Sequence, residues 1–553
     1  MNRKITFFCL LIIFLIAGYM RLYHLGNVPP SPDWDEAALG YNAYSIIETG
    51  RDEYGKSFPI VLRSFDDYKP ALYAYLIIPF IKLFDLNVLA VRLPSALLGI
   101  LTVLTTYFFV LELFRNWKPE SGNGKWVALV SSFLLAISPW HIQFSRIGFE
   151  SNVAVAFNVF GALFLMKGLR KPKFLLLGIF FPILGIYTYQ SAKVFVPLLL
   201  LSFLIVFFKK IITIPKKYIL GALILLFVMS LPMAMYMFKD KESLSRAKGV
   251  VIYSDITPFL KENVIRIMED KKNKDFIGLI LDNRRFVFGK AIVSGYLSHF
   301  DLNWLFIRGD IARHHAPGMG LLYLFELPFL LLGMYYLIFS SIERKIKIFL
   351  LSWFLLAPLP ASITSGVPHA VRTLNFLPTF QVFTAIGIFL AFSFFSRYKF
   401  RFVRIFFYGL FIVIFSGNIF YYTNQYFVQQ NYFNSQDWQY GYKETVSEVA
   451  KIENKYNKII VSNIPYLDQS YMFFLFYLKY DPELYQRQKR DSAGGFRENH
   501  YFGKFEFRPI DWTSEERTNN LYIGKPDNFP VGASTVRDIY FLDGKPAIKI
   551  VKG

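Results

Sequence analysis

The chain has 553 residues, 54% of them hydrophobic and 19% aromatic, with a formal net charge of +21. Soluble domains run at ~45–50% apolar, and the excess here lies in long apolar runs separated by short Lys/Arg clusters, which excludes an ordinary soluble domain and indicates a polytopic helical membrane protein. Charge placed between apolar runs sets topology and meets anionic lipid, so no nucleic-acid partner is expected, and a single cysteine, Cys9, excludes an intrachain disulfide or a thiolate metal site.

Arg3 and Lys4 precede the first apolar run, residues 5–20, which keeps the N-terminus in the cytoplasm. Tyr19, Met20, Arg21, Leu22 and Tyr23 follow in place of a small-residue cleavage site, so the run reads as a retained helix. The chain then emerges on the outer face in a loop, residues 24–70, that carries Asp35, Glu36, Asp52, Glu53, Asp66 and Asp67. Residues 71–84 are short for a span, which needs ~20 residues, and are expected to lie as a helix along the outer surface. Residues 93–112 go in, and the 115–125 loop with Arg115, Lys118 and Lys125 is expected in the cytoplasm.

Spans are expected at 126–144 (out), 153–168 (in), 174–189 (out), 194–208 (in) and 218–237 (out), with basic clusters at 167–173 and 209–217 on the inner side. A long polar segment, 238–316, stays outside, and spans at 319–340, 348–361, 373–395 and 402–421 complete about eleven. Odd parity leaves residues 423–553 outside as a small α/β domain, set apart from a membrane domain of residues 1–422. Its strands are expected in K-I-I-V-S-N, at 519–524 and at 537–551, the last with a turn at Asp543 and Gly544. The sequence shows no internal repeat and no low-complexity linker.

Four outer-face elements offer chemistry: the acid pair Asp35 and Glu36, Lys69 with Pro70, Arg92, and Arg146 with Glu150. Carboxylates at the membrane surface are costly unless they line a polar cavity, which makes the pair a functional candidate, with two solvated loop acids as the equal bland alternative. Arg146 and Glu150 are four apart, a helical spacing that also lets them pair with each other. For Lys69 and Arg92 the bland alternative is an interfacial anchor. Together, cations and carboxylates on one face suit an anionic leaving group and an acceptor that loses a proton. Lys193 and Arg372 are further candidates for a donor phosphate. His299, His314, His315 and His369 read as polar lining of a substrate cleft, with no metal or other cofactor expected, because one sequence does not show converging ligands.

D-W-D-E-A-A-L-G-Y at 33–41, Y-K-P-A-L-Y-A-Y at 68–75 and A-V-R-L-P-S-A-L-L-G at 90–99 resemble the N-terminal half of the polyprenyl-phosphate-sugar-dependent glycosyltransferases. These include protein O-mannosyltransferases and aminoarabinose transferases, which share the GT-C membrane fold. S-R-I-G-F-E-S-N at 145–152 falls where those families carry a second outer-face acid, and residues 299–320 also look like bacterial members. The resemblance implies sugar transfer from a lipid phosphate to a protein, lipid or polysaccharide acceptor outside the cytoplasmic membrane, with inversion. It implies Asp35 as general base with Glu36 beside it, Lys69 and Arg92 on the donor phosphate, and Glu150 positioning acceptor or base. Some aminoarabinose transferases place a metal-ligating Glu before the Lys-Pro pair; Tyr68 stands there, so no metal is carried over.

Phosphate leaves without a general acid, so the paired acids of a glycoside hydrolase are not required. No G-x-x-x-x-G-K-[ST] or strand-borne G-x-G-x-x-G appears, which weighs against a nucleotide-sugar donor. The rival readings are a transporter or flippase of lipid-linked sugars, which calls for inverted repeats and mid-membrane acids, and a non-catalytic envelope scaffold, which leaves the acid pair without purpose.

Overall fold

The computed structural model describes residues 2–65, 67–117, 124–239, 257–488 and 499–553; Asp66, Lys118 and residues 240–256 of the long polar segment lie outside the described residues. The chain is mostly helical. Among the described residues, eight helices are long and apolar enough to cross a membrane, and nine if the bent pair Gly124–Ile137 and Pro139–Ser145 is one span. The expectation of about eleven differs because Phe174–Ile186 and Glu326–Phe339 are helices of 13 and 14 residues. Both are packed against longer partners. At the contact between Glu326–Phe339 and Thr379–Ser396, a Cβ on Gly333 would stand 1.8 Å from the Phe383 carbonyl oxygen, and one on Gly387 1.9 Å from that of Phe329. Only glycine permits backbones this close, the usual device of tightly paired membrane helices.

We label the helices of the first half α1 (Arg3–Leu22), α2 (Trp34–Thr49), α3 (Leu72–Phe84), α4 (Val88–Leu113), α5 (Gly124–Ile137), α6 (Pro139–Ser145), α7 (Glu150–Gly168), α8 (Phe174–Ile186), α9 (Ala192–Ile211) and α10 (Lys216–Lys239). Between α2 and α3 a two-stranded antiparallel ribbon, β1 (Val61–Ser64) and β2 (Asp67–Pro70), pairs Leu62 with Lys69. The span expected at 126–144 is broken: α5 and α6 meet at 57°, where Ser138 caps α6 and Pro139 opens it. Proline suits the first position of a helix because the missing N–H would have had no helical partner there.

The C-terminal part carries a six-stranded sheet in the order β4-β5-β3-β6-β8-β7. Its strands are β3 (Lys458–Val461), β4 (His500–Phe502), β5 (Phe505–Phe507), β6 (Asn520–Gly524), β7 (Thr535–Tyr540) and β8 (Pro546–Lys552). β3 runs parallel to β5 and β6; β8 runs antiparallel to β6 and β7. The three strand regions read from sequence are present, with Gly544 at positive φ in the β7–β8 turn. β4 and β5, three residues each, were not expected. Helix Ser470–Leu478 packs the sheet onto α2, so that α2, α3 and the sheet domain share one apolar core. The contact is also polar: Tyr41 OH donates to the Tyr480 carbonyl at 3.0 Å, and Gln486 Nε2 donates to Ser45 Oγ at 3.0 Å and the Asp52 carbonyl at 2.9 Å.

Candidate active site

The site starts with the way α2 begins. Asp33 is the N-cap, accepting from the Asp35 backbone N–H at 2.9 Å, while Glu36 Oε2 accepts from the Asp33 N–H at 3.0 Å. This reciprocal capping box satisfies the first orphan donors of the helix. It also fixes Asp35 and Glu36 in one turn, where successive side chains project ~100° apart. The two carboxylates therefore face different surroundings.

Asp35 faces outward, its side chain 29% exposed, and pairs with Lys69 Nζ from β2. Glu36 faces inward and is fully buried. Its Oε1 accepts from Arg92 Nε at 2.8 Å and from the Gly148 N–H at 2.7 Å, and its Oε2 accepts from Arg92 Nη2 at 3.0 Å. Arg92 spends its remaining donors on the carbonyls of Leu25, Pro29 and Ser31, at 2.8–3.0 Å. The structure thus corrects two expectations. Arg92 has every guanidinium nitrogen engaged with protein and no exposure to a donor phosphate, and Glu36 is a buried tie between α2, α4 and the 146–149 turn instead of a pocket-facing acid.

Arg146 is corrected as well. It closes α6 while Glu150 opens α7, so the two do not share a helical face. The Arg146 guanidinium is buried and donates to the carbonyls of Met20 at 3.0 Å, Tyr23 at 2.7 Å and Val28 at 3.0 Å, with the Phe427 ring 4.9 Å away. Arg146 and Gly148 thereby anchor the turn that presents Glu150. Like Asp35, Glu150 lies in the first turn of its helix, where the positive end of the macrodipole favours a carboxylate.

Asp35, Lys69, Pro70 and Glu150 line a polar cavity of about 140 Å³ together with Asp33, Trp34, Phe149, Tyr189, Gln190, Arg313, His314, His369, Val371 and Arg372. Burial works against the Lys69 ammonium, but Asp35, Glu150 and Asp67 outweigh it and raise its pKa above the ordinary lysine value. The cavity therefore holds carboxylates and a firmly charged lysine side by side. Tyr189 and Gln190 come from the turn after α8, held because Gln190 Nε2 donates to the Tyr68 carbonyl and the Leu72 N–H to the Tyr187 carbonyl at 3.1 Å. Lys193 lies a turn further on, half-buried on α9 and outside the cavity lining.

Two loops build the opposite wall. Arg313 pairs with Asp33 and stacks over the Trp34 ring at 4.2 Å. Burial lowers its pKa to about 10, against the pull of Asp437 and Asp468, so it stays a cation at neutral pH. The Gln143 side chain donates to the Arg313 carbonyl at 2.6 Å, and Asn434 Nδ2 to the Ala312 carbonyl at 3.0 Å. Arg372 Nη1 donates to Thr364 Oγ1 at 2.6 Å and the Ser365 carbonyl at 2.7 Å. His315 turns away: its ring packs on Gly309, its Nδ1 meets the Ala316 carbonyl at 2.7 Å, and it does not line the cavity.

Asp310 joins the two loops, accepting from the Ala370 N–H at 2.5 Å and from His314 Nδ1 at 3.0 Å. Although burial works against the carboxylate, the His314 bond holds its pKa down to about 2. Burial lowers His314, with Asp310 opposing, and lowers His369 to about 2 with help from Arg372. Both imidazoles are therefore neutral at pH 7, the form that ligates metal. Asp310, His314 and His369 each offer a ligand atom within 4.8 Å of the others. His369 Nδ1 is buried with no hydrogen-bond partner among the described residues. Two imidazoles and a carboxylate suit zinc with an open fourth position. Asp310 and His314 are four residues apart, but His369 comes 55 residues later, so His314 and His369 were read only as cleft lining and Asp310 was missed. Asp33 and Arg313 were missed too: the capping motif signals Asp33 as structure, and nothing local marks Arg313.

Residues 68–236 match the dolichyl-phosphate-mannose-protein mannosyltransferase family. No curated protein matches the sequence. Among solved structures, the Archaeoglobus fulgidus oligosaccharyltransferase AglB, in a complex with an inhibitory peptide and a dolichol-phosphate, is similar with a TM-score of 0.52 at 13% identity. That match covers 85% of this chain and 63% of AglB, so the chain spans less than two thirds of the archaeal protein. ArnT from Cupriavidus metallidurans bound to undecaprenyl phosphate is similar with a TM-score of 0.50 at 11% identity, covering 99% of this chain and 97% of ArnT. Identities this low establish the fold alone, a multi-pass membrane architecture of the GT-C kind, which the sequence motifs imply; the small C-terminal sheet is seen in this chain itself.

Proposed function

We propose that this chain is a membrane glycosyltransferase that moves a sugar from a polyprenyl-phosphate carrier to an acceptor hydroxyl or amine, with inversion, on the outer face of the cytoplasmic membrane. The observation that carries the reading is the cavity itself: Asp35 and Glu150, each in the first turn of a helix, line a space of about 140 Å³ together with Lys69, Arg313 and Arg372, with Asp35 paired directly to Lys69. The family match over residues 68–236 and the solved neighbours bound to dolichol-phosphate and undecaprenyl phosphate support the same donor class.

In this reading the donor phosphate lies against Lys69, Arg313 and Arg372, where charge-assisted hydrogen bonds hold it and stabilise the charge it gains on leaving. Lys69 turns from Asp35 to the phosphate, which frees the Asp35 carboxylate. The acceptor heteroatom forms its bond to the anomeric carbon as the anomeric carbon–oxygen bond to phosphate breaks. Asp35 takes the acceptor proton, and the polyprenyl phosphate leaves with the electron pair. Glu150 orients the acceptor. The donor's tail has an apolar groove at hand between α7, α8, α9 and α10, about 380 Å³, whose lining includes Ile186 and Val196, on either side of the turn that gives Tyr189 and Gln190 to the cavity.

The test is release of polyprenyl phosphate from a lipid-phosphate sugar by purified protein, with Asp35→Asn as the matched control. Product from wild type and none from Asp35→Asn is expected. Full activity in Asp35→Asn with a dead Glu150→Gln would move the base to Glu150. Sugar translocation without chemical turnover would favour the transporter reading. For orientation, a cysteine at Lys545 in a Cys9→Ser background should react with an impermeant maleimide from outside and one at Lys399 should not; the reverse pattern would invert the topology.

A further inference from the structure

We infer that the groove between α5, helices Thr379–Ser396 and Arg401–Asn424, and Phe325 is a binding site for an anionic phospholipid, separate from the donor site. The groove has a volume of about 710 Å³ and is lined almost wholly by apolar side chains, among them Phe133, Phe325, Phe389 and Phe411. Its polar atoms come at one end, from Ser393, Ser396 and Tyr408, with Trp126 beside them. That is the arrangement of an acyl-chain slot closed by interfacial aromatics at headgroup depth.

The charge at that end selects the headgroup. The turn joining the last two helices carries Arg397, Lys399, Arg401 and Arg404 within eight residues, and no acidic residue occurs anywhere between Glu343 and Asp437. Arg401 and Lys399 are exposed, and Arg404 Nη1 reaches back to the Ser396 carbonyl at 3.4 Å, which places its guanidinium at the mouth of the groove. Among the described residues, Glu112 pairs with Arg170 and Glu343 with Lys210 at 3.8 Å at other basic ends of the bundle, and the ion pairs found do not involve Lys399, Arg401 or Arg404. A zwitterionic headgroup would bring its own cation against this turn; a phosphatidylglycerol or cardiolipin phosphate would not. The donor tail groove lies between other helices, so the two lipids do not compete.

The experiment reconstitutes the full chain in vesicles of equal phosphatidylglycerol and phosphatidylcholine, extracts it in mild detergent, and measures co-purifying lipid by mass spectrometry. Wild type should retain phosphatidylglycerol in preference. Arg401→Gln with Arg404→Gln should lower the ratio about twenty-five-fold, from roughly five-fold for each cation near the surface. Arg401→Lys with Arg404→Lys, which keeps the charge and controls for folding, should hold the preference. Lys209→Gln with Lys210→Gln, at another basic turn, should leave it unchanged. Equal retention of both lipids by wild type, or an equal fall in the Lys209/Lys210 variant, overturns the site and leaves only general surface attraction. Displacement of the phosphatidylglycerol by undecaprenyl phosphate also overturns it and assigns the groove to the donor.

Discussion

The two faces of the first turn of α2 hold their carboxylates in different ways. Asp35 stands at the edge of the cavity with a single lysine partner, itself within reach of other acids. Glu36, one residue on, accepts four hydrogen bonds from Arg92, Gly148 and Asp33 and sees no solvent. A carboxylate with one mobile partner can give that partner to a phosphate and take a proton. A carboxylate that accepts bonds on both oxygens cannot move without unmaking the junction of α2, α4 and the turn before Glu150. The comparison teaches that adjacency in sequence is not equivalence in surroundings: one helical step of ~100° separates an acid at the cavity edge from one buried in a helix junction.

Substituting each acid by its amide tests this most severely. Asp35→Asn keeps the shape and removes the basicity, so turnover should fall by ~10²–10⁴-fold in single-turnover kinetics, with donor binding and thermal stability near wild type. Glu36→Gln should do the reverse. Leaving Arg92 buried without its anion should destabilise the protein by ~3–5 kcal/mol, read as lower yield and a lower denaturation midpoint in detergent. Glu36→Gln that is fully stable yet inactive would collapse the distinction and restore Glu36 to the cavity chemistry.

A second contrast lies between the histidines that converge and the one that does not. Zinc at 100 times its dissociation constant should stabilise the protein by ~2.7 kcal/mol through Asp310, His314 and His369, and His369→Asn should abolish the shift. His315→Asn should leave it intact. A shift that survives His369→Asn would place the metal elsewhere.

Among the arginines, Arg313→Ala and Arg372→Ala should each weaken donor binding by ~1.5–3 kcal/mol, the value of a charge-assisted hydrogen bond. Lys193→Ala should not, since Lys193 lies outside the cavity lining. Arg92→Lys should reduce stability before it touches affinity, because an ammonium cannot reproduce the fork that serves Glu36 and three carbonyls. An unchanged donor affinity in both Arg313→Ala and Arg372→Ala would leave Lys69 as the sole phosphate contact.

The sequence made the membrane class legible because apolar length and loop charge are local properties. It also exposed the segments that meet at the cavity: Asp35, Lys69, Glu150, His369 and Arg372 were all candidates, and all line it. What it did not give was direction. Nothing in R-L-P-S distinguishes a buried Arg92 from one at the membrane surface, because the carbonyls of Leu25, Pro29 and Ser31 that engage it are chosen by the path of the 23–33 loop. The helical spacing of Arg146 and Glu150 misled for a related reason: the chain leaves α6 at Ser145 and re-enters helix only at Glu150. Short strands such as β4 and β5 exist because β3 offers them an edge, a tertiary fact with no periodic signal.

The smallest effect, and the sharpest on Lys69, is a pH dependence that should be absent. Burial alone would lower the Lys69 pKa, but Asp35, Glu150 and Asp67 raise it above its usual value. A folded-state pKa above the unfolded one, about 10.4, means the stabilisation is fully present below that value and is lost only as pH rises through the folded pKa. The donor is a phosphodiester and carries the same charge throughout. Donor affinity of the wild type should therefore be flat from about pH 7 to about pH 8.5, where Lys69 and also Arg313, lowered to about 10, keep their charge. Lys69→His moves the titration into reach: a side chain with an ordinary pKa near 6.5 should bind donor best at acidic pH and lose affinity as pH rises through about 7. Isothermal titration of both proteins across that range measures the difference. A wild-type affinity that falls between about pH 7 and about pH 8.5 would mean that the surrounding acids do not hold the ammonium charged, and a Lys69→His profile as flat as the wild type would remove Lys69 from the phosphate altogether.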